Sequence, residues 1–201
     1  MIEQLILVRH GETVQNVAGV AQGWNDSALS ERGERQVAGL AGRLAAEGVD
    51  RLYSSPLGRA MATASAIAAA TGREIVTVDG FREMNYGRWE GRSFLEVRRD
   101  DAEAYHRWIE DPAAACPGGE SHEDVRRRIE AAVAELDPSS KRVVLVMHGT
   151  AIRIAATVLL GLPLSLSRQF AQDNAAMNVF LWRTDRYVLK RWNDTAHCGN
   201  P

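Results

Sequence analysis

The chain has 201 residues, 45% of them hydrophobic and 25% charged. That predicts one globular domain whose core needs no disulfide or metal staple, and it excludes disordered, collagen-like and disulfide-scaffold classes. A net charge of −2 gives no general basic field to recruit nucleic acid or anionic membrane.

No apolar run approaches the roughly 20 residues of a bilayer span. The first residues lack the basic and apolar regions of a secretory signal, so the expectation is a soluble, cytoplasmic protein. Cys116 and Cys198 form no CxxC or metal-spaced set. All basic residues except Lys141 and Lys190 are arginine. A GC-rich genome is the plain source of that bias, so each arginine is judged by its place.

Residues 5–8 read as a short buried strand and residues 9–27, rich in Gly, Asn and Asp, as a loop. Ser30 is an N-cap; Val37, Leu40, Ala41 and Leu44 follow at helical spacing, and Gly48 ends the helix. Residues 49–53 form a second strand, 57–70 an Ala-rich helix stopped by Gly72, 74–78 a third strand and 79–91 a loop. Residues 93–110 are helical with a break near Asp100. Ser121 and Asp124 resemble a capping box that opens a helix to about Leu136. A strand at 142–147, a helix at 151–160 and a short helix at 164–170 follow. Strands at 178–182 and 187–191 close the chain around a turn at 184–186. The alternation predicts an α/β fold, a three-layer α/β/α sandwich. Its mostly parallel central sheet gains an antiparallel edge strand from the last pair. We expect a single domain over 1–201, with a small helical cap insertion at about 92–120.

Two strands end in the same way: Leu7-Val8-Arg9-His10-Gly11 echoes Val146-Met147-His148-Gly149. In open α/β sheets ligands bind outside the carboxyl ends of the strands, so neighbouring strands would present both imidazoles to one crevice. Arg59 falls in the first turn of the helix after the second strand, where the helix end already favours an anion. Glu83 follows the third strand. Arg9, His10, Arg59, Glu83 and His148 thus combine a possible nucleophile, an acid/base and several cations past strand ends. Singly, each has an ordinary structural use. A pair of histidines would also suit a metal, but no HxH, HExxH or Asp-rich cluster adds ligands, and no GxxxxGK[ST] or GxGxxG loop is present.

Arg9-His10-Gly11-Glu12-Thr13 resembles the RHGET signature of the histidine phosphatase superfamily, the phosphoglycerate-mutase-like proteins. The likeness continues through Asn16, Gln22-Gly23-Trp24-Asn25-Asp26, Leu29-Ser30-Glu31-Arg32-Gly33 and Ser54-Ser55-Pro56-Leu57-Gly58-Arg59-Ala60. It extends to Glu83-Met84-Asn85-Tyr86-Gly87, Pro117-Gly118-Gly119-Glu120-Ser121 and Met147-His148-Gly149. The resemblance implies that His10 is a nucleophile forming phosphohistidine and that Glu83 is the general acid/base. Arg9, Arg59 and His148 would surround the phosphoryl oxygens. Asn16 and backbone amides near Gly11 and Gly149 would be further donors, and Gln22, Gly23 and Tyr86 substrate contacts. No metal and no cofactor are implied, and the partner is a small phosphorylated metabolite.

Residues 82–91, and the stretches 174–178 and 191–197, resemble the compact phosphatases more than the glycolytic mutases, which carry an insertion before the second catalytic histidine. The expected activity is phosphomonoester hydrolysis. The alternatives are a cofactor-dependent phosphoglycerate mutase and an idle phosphate-binding regulator. Tyr86, Trp89, Phe94, Tyr105 and Trp108 make the cap aromatic, either as packing or as an apolar entrance. Arg153, one turn past His148, is the next arginine of interest. His122 is a candidate for the entrance, while His106 and His197 match no catalytic position. An apolar edge strand leaves a homodimer open.

Overall fold

The computed structural model describes residues 1–199. Its strands are β1 (Gln4–Arg9), β2 (Arg51–Ser54), β3 (Ile75–Thr77), β4 (Arg142–Met147), β5 (Met177–Arg183) and β6 (Arg186–Asp194). The helices are α1 (Val14–Val17), α2 (Glu31–Glu47), α3 (Gly58–Thr71), α4 (Phe94–Asp100), α5 (Ala102–Glu110), α6 (His122–Ala134) and α7 (Gly149–Leu160). One sheet runs in the order β3-β2-β4-β1-β5-β6. The four strands from β3 to β1 are parallel; β5 runs against β1, and the edge strand β6 runs against β5.

Strand alternation divides the interior into two cores. Ile6, Val8, Leu52, Val144 and Val146 face Leu40 and Leu44 of α2 and Ala60, Ala64 and Ile67 of α3. Leu5, Leu7, Val143, Leu145 and Met147 face Val125 and Ile129 of α6 and Ile152 and Ala155 of α7. β1 and β4 are therefore covered on both faces, which is why they read as unbroken apolar runs. Each Leu, Ile or Val buried there contributes about 1.5–3 kcal/mol. This is the expected three-layer sandwich.

Several details differ from the sequence reading. The loop at 9–27 contains α1, held by a capping box in which Asn16 N–H donates to Thr13 Oγ1 (3.1 Å) and Thr13 N–H to Asn16 Oδ1 (3.2 Å). It buries no residue, so it has no hydrophobic period to read. β2 starts two residues late because Asp50 Oδ2 accepts the Lys141 and Arg142 amides (3.0 and 2.8 Å) at the strand mouth. The loop at 79–91 holds two 3₁₀ turns, Asp79–Phe81 and Gly87–Trp89. The helix expected at 164–170 is the 3₁₀ segment Leu164–Gln169, and α7 begins at Gly149 rather than 151. The break near Asp100 falls at Asp101, which ends α4, opens α5 and accepts Trp89 Nε1 (2.9 Å).

α2 seats directly on the loop after β1. A Cβ on Gly33 would stand 2.0 Å from the Glu12 carbonyl oxygen, and one on Gly11 would stand 2.9 Å from the Gly33 oxygen. Gly42, on the exposed side of the same helix, has open space around it. Gly33→Ala is expected to destabilise by about 1–3 kcal/mol through forced backbone movement. Gly42→Ala should stabilise by about 0.5–1 kcal/mol through helix propensity. Urea unfolding of the two variants checks both signs, and equal effects would contradict the close approach.

Candidate active site

β1 and β4 pair in parallel, Val8 opposite Val146 and Arg9 opposite Met147. The chain leaves both strands at the same level, and the rings of His10 and His148 lie 5.2 Å apart, centroid to centroid. His10 Nδ1 is 2.7 Å from the Gly11 carbonyl oxygen. A carbonyl only accepts, so Nδ1 carries the proton. Nε2 then offers its lone pair, and Arg59 Nε donates to it at 3.3 Å. Burial, reinforced by the charges of Arg9 and Arg59, holds His10 well below the ordinary histidine pKa. The imidazole is neutral and its free nitrogen faces a cation.

Arg59 is held on every side. Nη1 pairs with Asp26 Oδ1 (3.2 Å) and donates to the Asn25 oxygen (2.8 Å), while Nη2 donates to the Gly23 oxygen (2.8 Å). Asp26 also accepts the Gly58 and Arg59 amides, so one carboxylate caps α3 and orients its second residue. Gly23 has φ +56, and a Cβ there would meet Glu90 Oε1 at 2.0 Å. Glu90 in turn accepts the Trp24, Asn25 and Tyr86 amides, tying the 22–26 loop to the loop that carries Glu83.

The Glu83 carboxylate lies at the N-terminus of α7, where it accepts the amides of Thr150 (3.2 Å) and Ala151 (3.1 Å) as well as that of Met84 (2.9 Å). Its backbone oxygen takes Trp24 Nε1 and Arg128 Nη2, both at 2.9 Å. Arg9 donates through Nη1 to the Gln172 carbonyl, and burial lowers its pKa. Tyr86 donates to or accepts from Thr150 Oγ1 at 2.7 Å, and burial raises its phenol above the ordinary range.

A cleft of about 150 Å³ collects most of the expected set: Arg9, His10, Asn16, Gln22, Gly23, Arg59, Glu83, Tyr86 and Gly149 all line it, and so does Arg153. His148 does not line it. It is fully buried beside His10, with Nε2 2.8 Å from Ser55 Oγ and Nδ1 without a partner. Burial and the nearby Arg59 keep it, too, well below the ordinary histidine range.

Some expectations need correction. The Gly11 amide is not a free donor, because Thr63 Oγ1 accepts it at 3.1 Å. Asn16 Oδ1 is occupied by Thr13 and Asn174, leaving part of its amide for the cleft. Gln22 spends its Nε2 on Thr13 and Ser27. Asp26, Ser55, Glu90, Arg128 and Gln172 hold the site and were not singled out. Asp26, Ser55 and Glu90 stand inside the stretches that carry the family likeness, whereas Arg128 and Gln172 carry no sequence signal. Among the described residues no group of three or more His, Cys, Asp and Glu is placed to hold a metal ion. Nor is any helix long and apolar enough to cross a membrane.

Fold and site define an α/β protein with a histidine-centred cationic cleft at the carboxyl edge of its sheet. The sequence profile of the histidine phosphatase superfamily (branch 1) matches residues 5–195, and the chain belongs to that superfamily. It is similar to phosphoserine phosphatase 1 of Hydrogenobacter thermophilus, 38% identical over 98% of this chain and 94% of the relative. It is also similar to the probable phosphoglycerate mutase GpmB of Yersinia enterocolitica, 34% identical over 98% of this chain and 96% of the relative. A solved mycobacterial glucosyl-3-phosphoglycerate phosphatase, in complex with VO3, matches with a TM-score of 0.87 at 33% identity. The match covers 95% of this chain and 98% of that one.

His10, His148 and His122 share a consequence. Burial pushes His122 down to about 3, and the other two lie well below their ordinary value. Below about pH 6.5 the unfolded chain therefore binds protons that the folded chain refuses. The stability these groups contribute is present above that pH and is lost as pH falls. Between pH 7 and 5 the loss should reach about 2 kcal/mol for His122, and His10 and His148 add to it in the same direction. Urea unfolding at pH 7, 6 and 5 measures it; a flat profile would refute the neutral, buried state.

Proposed function

We propose that this protein is a phosphatase that hydrolyses phosphomonoesters of small metabolites through a phosphohistidine on His10. The observation that carries this reading is the state of His10: Nδ1 is committed to the Gly11 carbonyl and a neutral Nε2 faces the Arg59 guanidinium. That is an unprotonated nucleophile already beside the cation that would take a phosphoryl oxygen.

In this reading Nε2 attacks phosphorus while the ester P–O bond breaks. Glu83, in its acid form, gives its proton to the departing alkoxide. Glu83 then takes a proton from water, whose oxygen bonds to phosphorus as the P–N bond breaks, releasing inorganic phosphate. Arg9, Arg59 and the cleft-facing part of Asn16 hold the oxygens, which is most of what phosphoryl transfer requires. The Gly149 amide, at the first position of α7 and without an acceptor in the helix, adds a donor. If the Ser55 hydroxyl donates to His148 Nε2, the unpartnered Nδ1 carries a proton for another oxygen. Tyr86, Gln22 and Gly23 shape the wall around the alcohol. The segment 92–120 acts as a cap on a single domain. The charges come from side chains, with no metal or cofactor, and the setting is the cytoplasm. The relatives named for phosphoserine and for glucosyl-3-phosphoglycerate support hydrolysis.

The likeness to probable phosphoglycerate mutases favours a second reading, transfer of the phosphoryl group back to a phosphoglycerate. Isomerisation stimulated by a bisphosphoglycerate primer would establish it; release of phosphate without such stimulation leaves hydrolysis.

After acid-free quenching of a turnover with labelled ester, label should remain on His10 in an acid-labile, base-stable form, and EDTA should not change the rate. His10→Ala should abolish both labelling and turnover; full activity in that variant sinks the reading. Glu83→Gln should slow hydrolysis of alkyl phosphates by roughly 10²–10⁴-fold. p-Nitrophenyl phosphate, whose leaving group needs little protonation, should suffer much less. Equal losses on both esters would count against Glu83 as the acid.

A further inference from the structure

Two stretches that carry the family likeness, 174–178 and 191–197, contribute no side chain to the wall of the cleft, yet they meet directly behind it. The turn at 172–176, which leads into β5, supports the phosphate end of the cleft. The Ala175 amide (3.0 Å) and Asn174 Nδ2 (3.3 Å) both donate to the His10 carbonyl. The Arg9 amide donates to the Ala176 oxygen (3.2 Å), and Arg9 Nη1 donates to the Gln172 oxygen. Asn174 Nδ2 also reaches Asn16 Oδ1 at 2.9 Å. The nucleophile, a cation and an amide donor of the proposed reaction are thus all fixed to one turn.

That turn is strained. Ala175 is fully buried with φ +57, in the left-handed region that a residue with a Cβ seldom adopts. Such a conformation persists only where its surroundings fix it. Here the fixing comes from behind: His197 Nε2 lies 2.9 Å from the Ala175 carbonyl oxygen. A carbonyl only accepts, so Nε2 carries the proton. The other ring nitrogen agrees, since Arg43 Nη1, which only donates, stands 3.2 Å from Nδ1. Burial lowers the pKa of His197 and favours this neutral form. The 3₁₀ turn that carries it, Ala196–Cys198, is seated on α2. Gly39 of that helix passes so close to the His197 carbonyl oxygen that a Cβ would collide with it. The imidazole therefore joins a helix on one side to the strained turn on the other.

We propose that His197 is a positioning residue for His10: its Nε2–H locks the Ala175 carbonyl, and the locked turn holds the nucleophile, together with Arg9 and Asn16, in line for the phosphoryl group. The proposal rests on the phosphatase reading and extends it to a residue outside the cleft. His197 transfers no proton and touches no substrate. Its effect falls on the attack by His10 Nε2 and on hydrolysis of the phosphohistidine, steps common to every ester, and not on protonation of the leaving group.

The test compares kcat for p-nitrophenyl phosphate and for glycerol 3-phosphate in the wild type, His197→Leu and His197→Gln, with the folding of each protein checked by urea unfolding. Leucine keeps much of the bulk and loses the donor, whereas glutamine carries an N–H at about the place of Nε2. His197→Leu should lower kcat on both esters by one common factor, roughly 10–10²-fold, the scale of a small misplacement of a reacting group. His197→Gln should restore most of it. The common factor separates this role from that of Glu83, whose loss should divide the two esters. Full kcat in folded His197→Leu overturns the proposal. So does a loss that glutamine leaves unrestored, which is the mark of packing alone, or a loss confined to the alkyl ester. If His197→Leu does not fold, Gly39→Ala takes its place: pressing the His197 backbone away from α2 should lower kcat on both esters alike, and an unchanged kcat overturns the proposal. Failure of the phosphatase reading looks different: the wild type then releases phosphate from neither ester.

Discussion

Parallel pairing of β1 with β4 is the contact on which the site depends. Neighbouring strands lie about 4.8 Å apart, and the two imidazoles delivered by these strands sit 5.2 Å apart, close to that spacing. A slip of one residue would turn every side chain of the strand from one core to the other. Both cores are closed over β1 and β4, with Leu5, Ile6, Leu7 and Val8 all at 0% exposure, so a slipped register would strand apolar surface on the wrong face throughout. The separation of His10 from His148 is thus set by the burial of leucines and valines, and not by any contact between the histidines themselves. The turn leading into β5 reinforces the placement from the other side, through the Ala175 amide donating to the His10 carbonyl at 3.0 Å.

Around that pair the protein concentrates positive charge where water is scarce. Burial keeps the imidazoles neutral, and the cations act in the same direction. Only a few carboxylates oppose them, and each is tied to backbone amides: Asp26 at the start of α3, Glu83 at the start of α7. Helix N-termini thereby serve as anchors for the protein's own acids, which in turn fix a guanidinium or face the cleft. Glu90 connects the two loops that bring these acids together, and Arg128 ties the Glu83 loop to α6. A site so arranged has its donors and lone pairs aimed before a substrate arrives, the condition under which electrostatic stabilisation costs little reorganisation.

What could be read from the sequence follows from the same physics. Strands covered on both faces announce themselves as apolar runs, so β1 and β4 were legible, and Ser30 and Gly48 bounded α2 by cap chemistry that acts within a few residues. The four residues of α1 were not legible, because a capping box without a buried face leaves no period. His10, Arg59 and Glu83 stand beside strand ends, so their meeting in one crevice follows from the alternation of strands and helices. Their partners do not. Arg128 reaches Glu83 from 45 positions away and Gln172 meets Arg9 through a main-chain oxygen, which any residue would supply. The Gly11 amide looked free in the sequence and is taken by Thr63, 52 positions on. Position along the chain could place the reacting groups, but not the long-range bonds that decide which of their neighbours remain available.

The excess of arginine over lysine divides on this basis. Arg43, Arg99, Arg126 and Arg127 pair with carboxylates at or near the surface, where such pairs contribute little. Their small contribution leaves composition bias a sufficient cause. Arg9, Arg153 and Arg168 are half buried, line the cleft or the cavity beside it, and form no ion pair with a carboxylate among the described residues. A lysine in such a place would shed its proton under desolvation more readily, whereas a guanidinium stays charged and keeps several directed donors. Burial lowers both Arg9 and Arg168, yet a guanidinium stays charged in proteins, so the charge persists in a setting that disfavours it. Holding cations there without counter-ions costs folding energy. The arginines that composition alone does not account for are therefore those whose charge the protein itself leaves unbalanced.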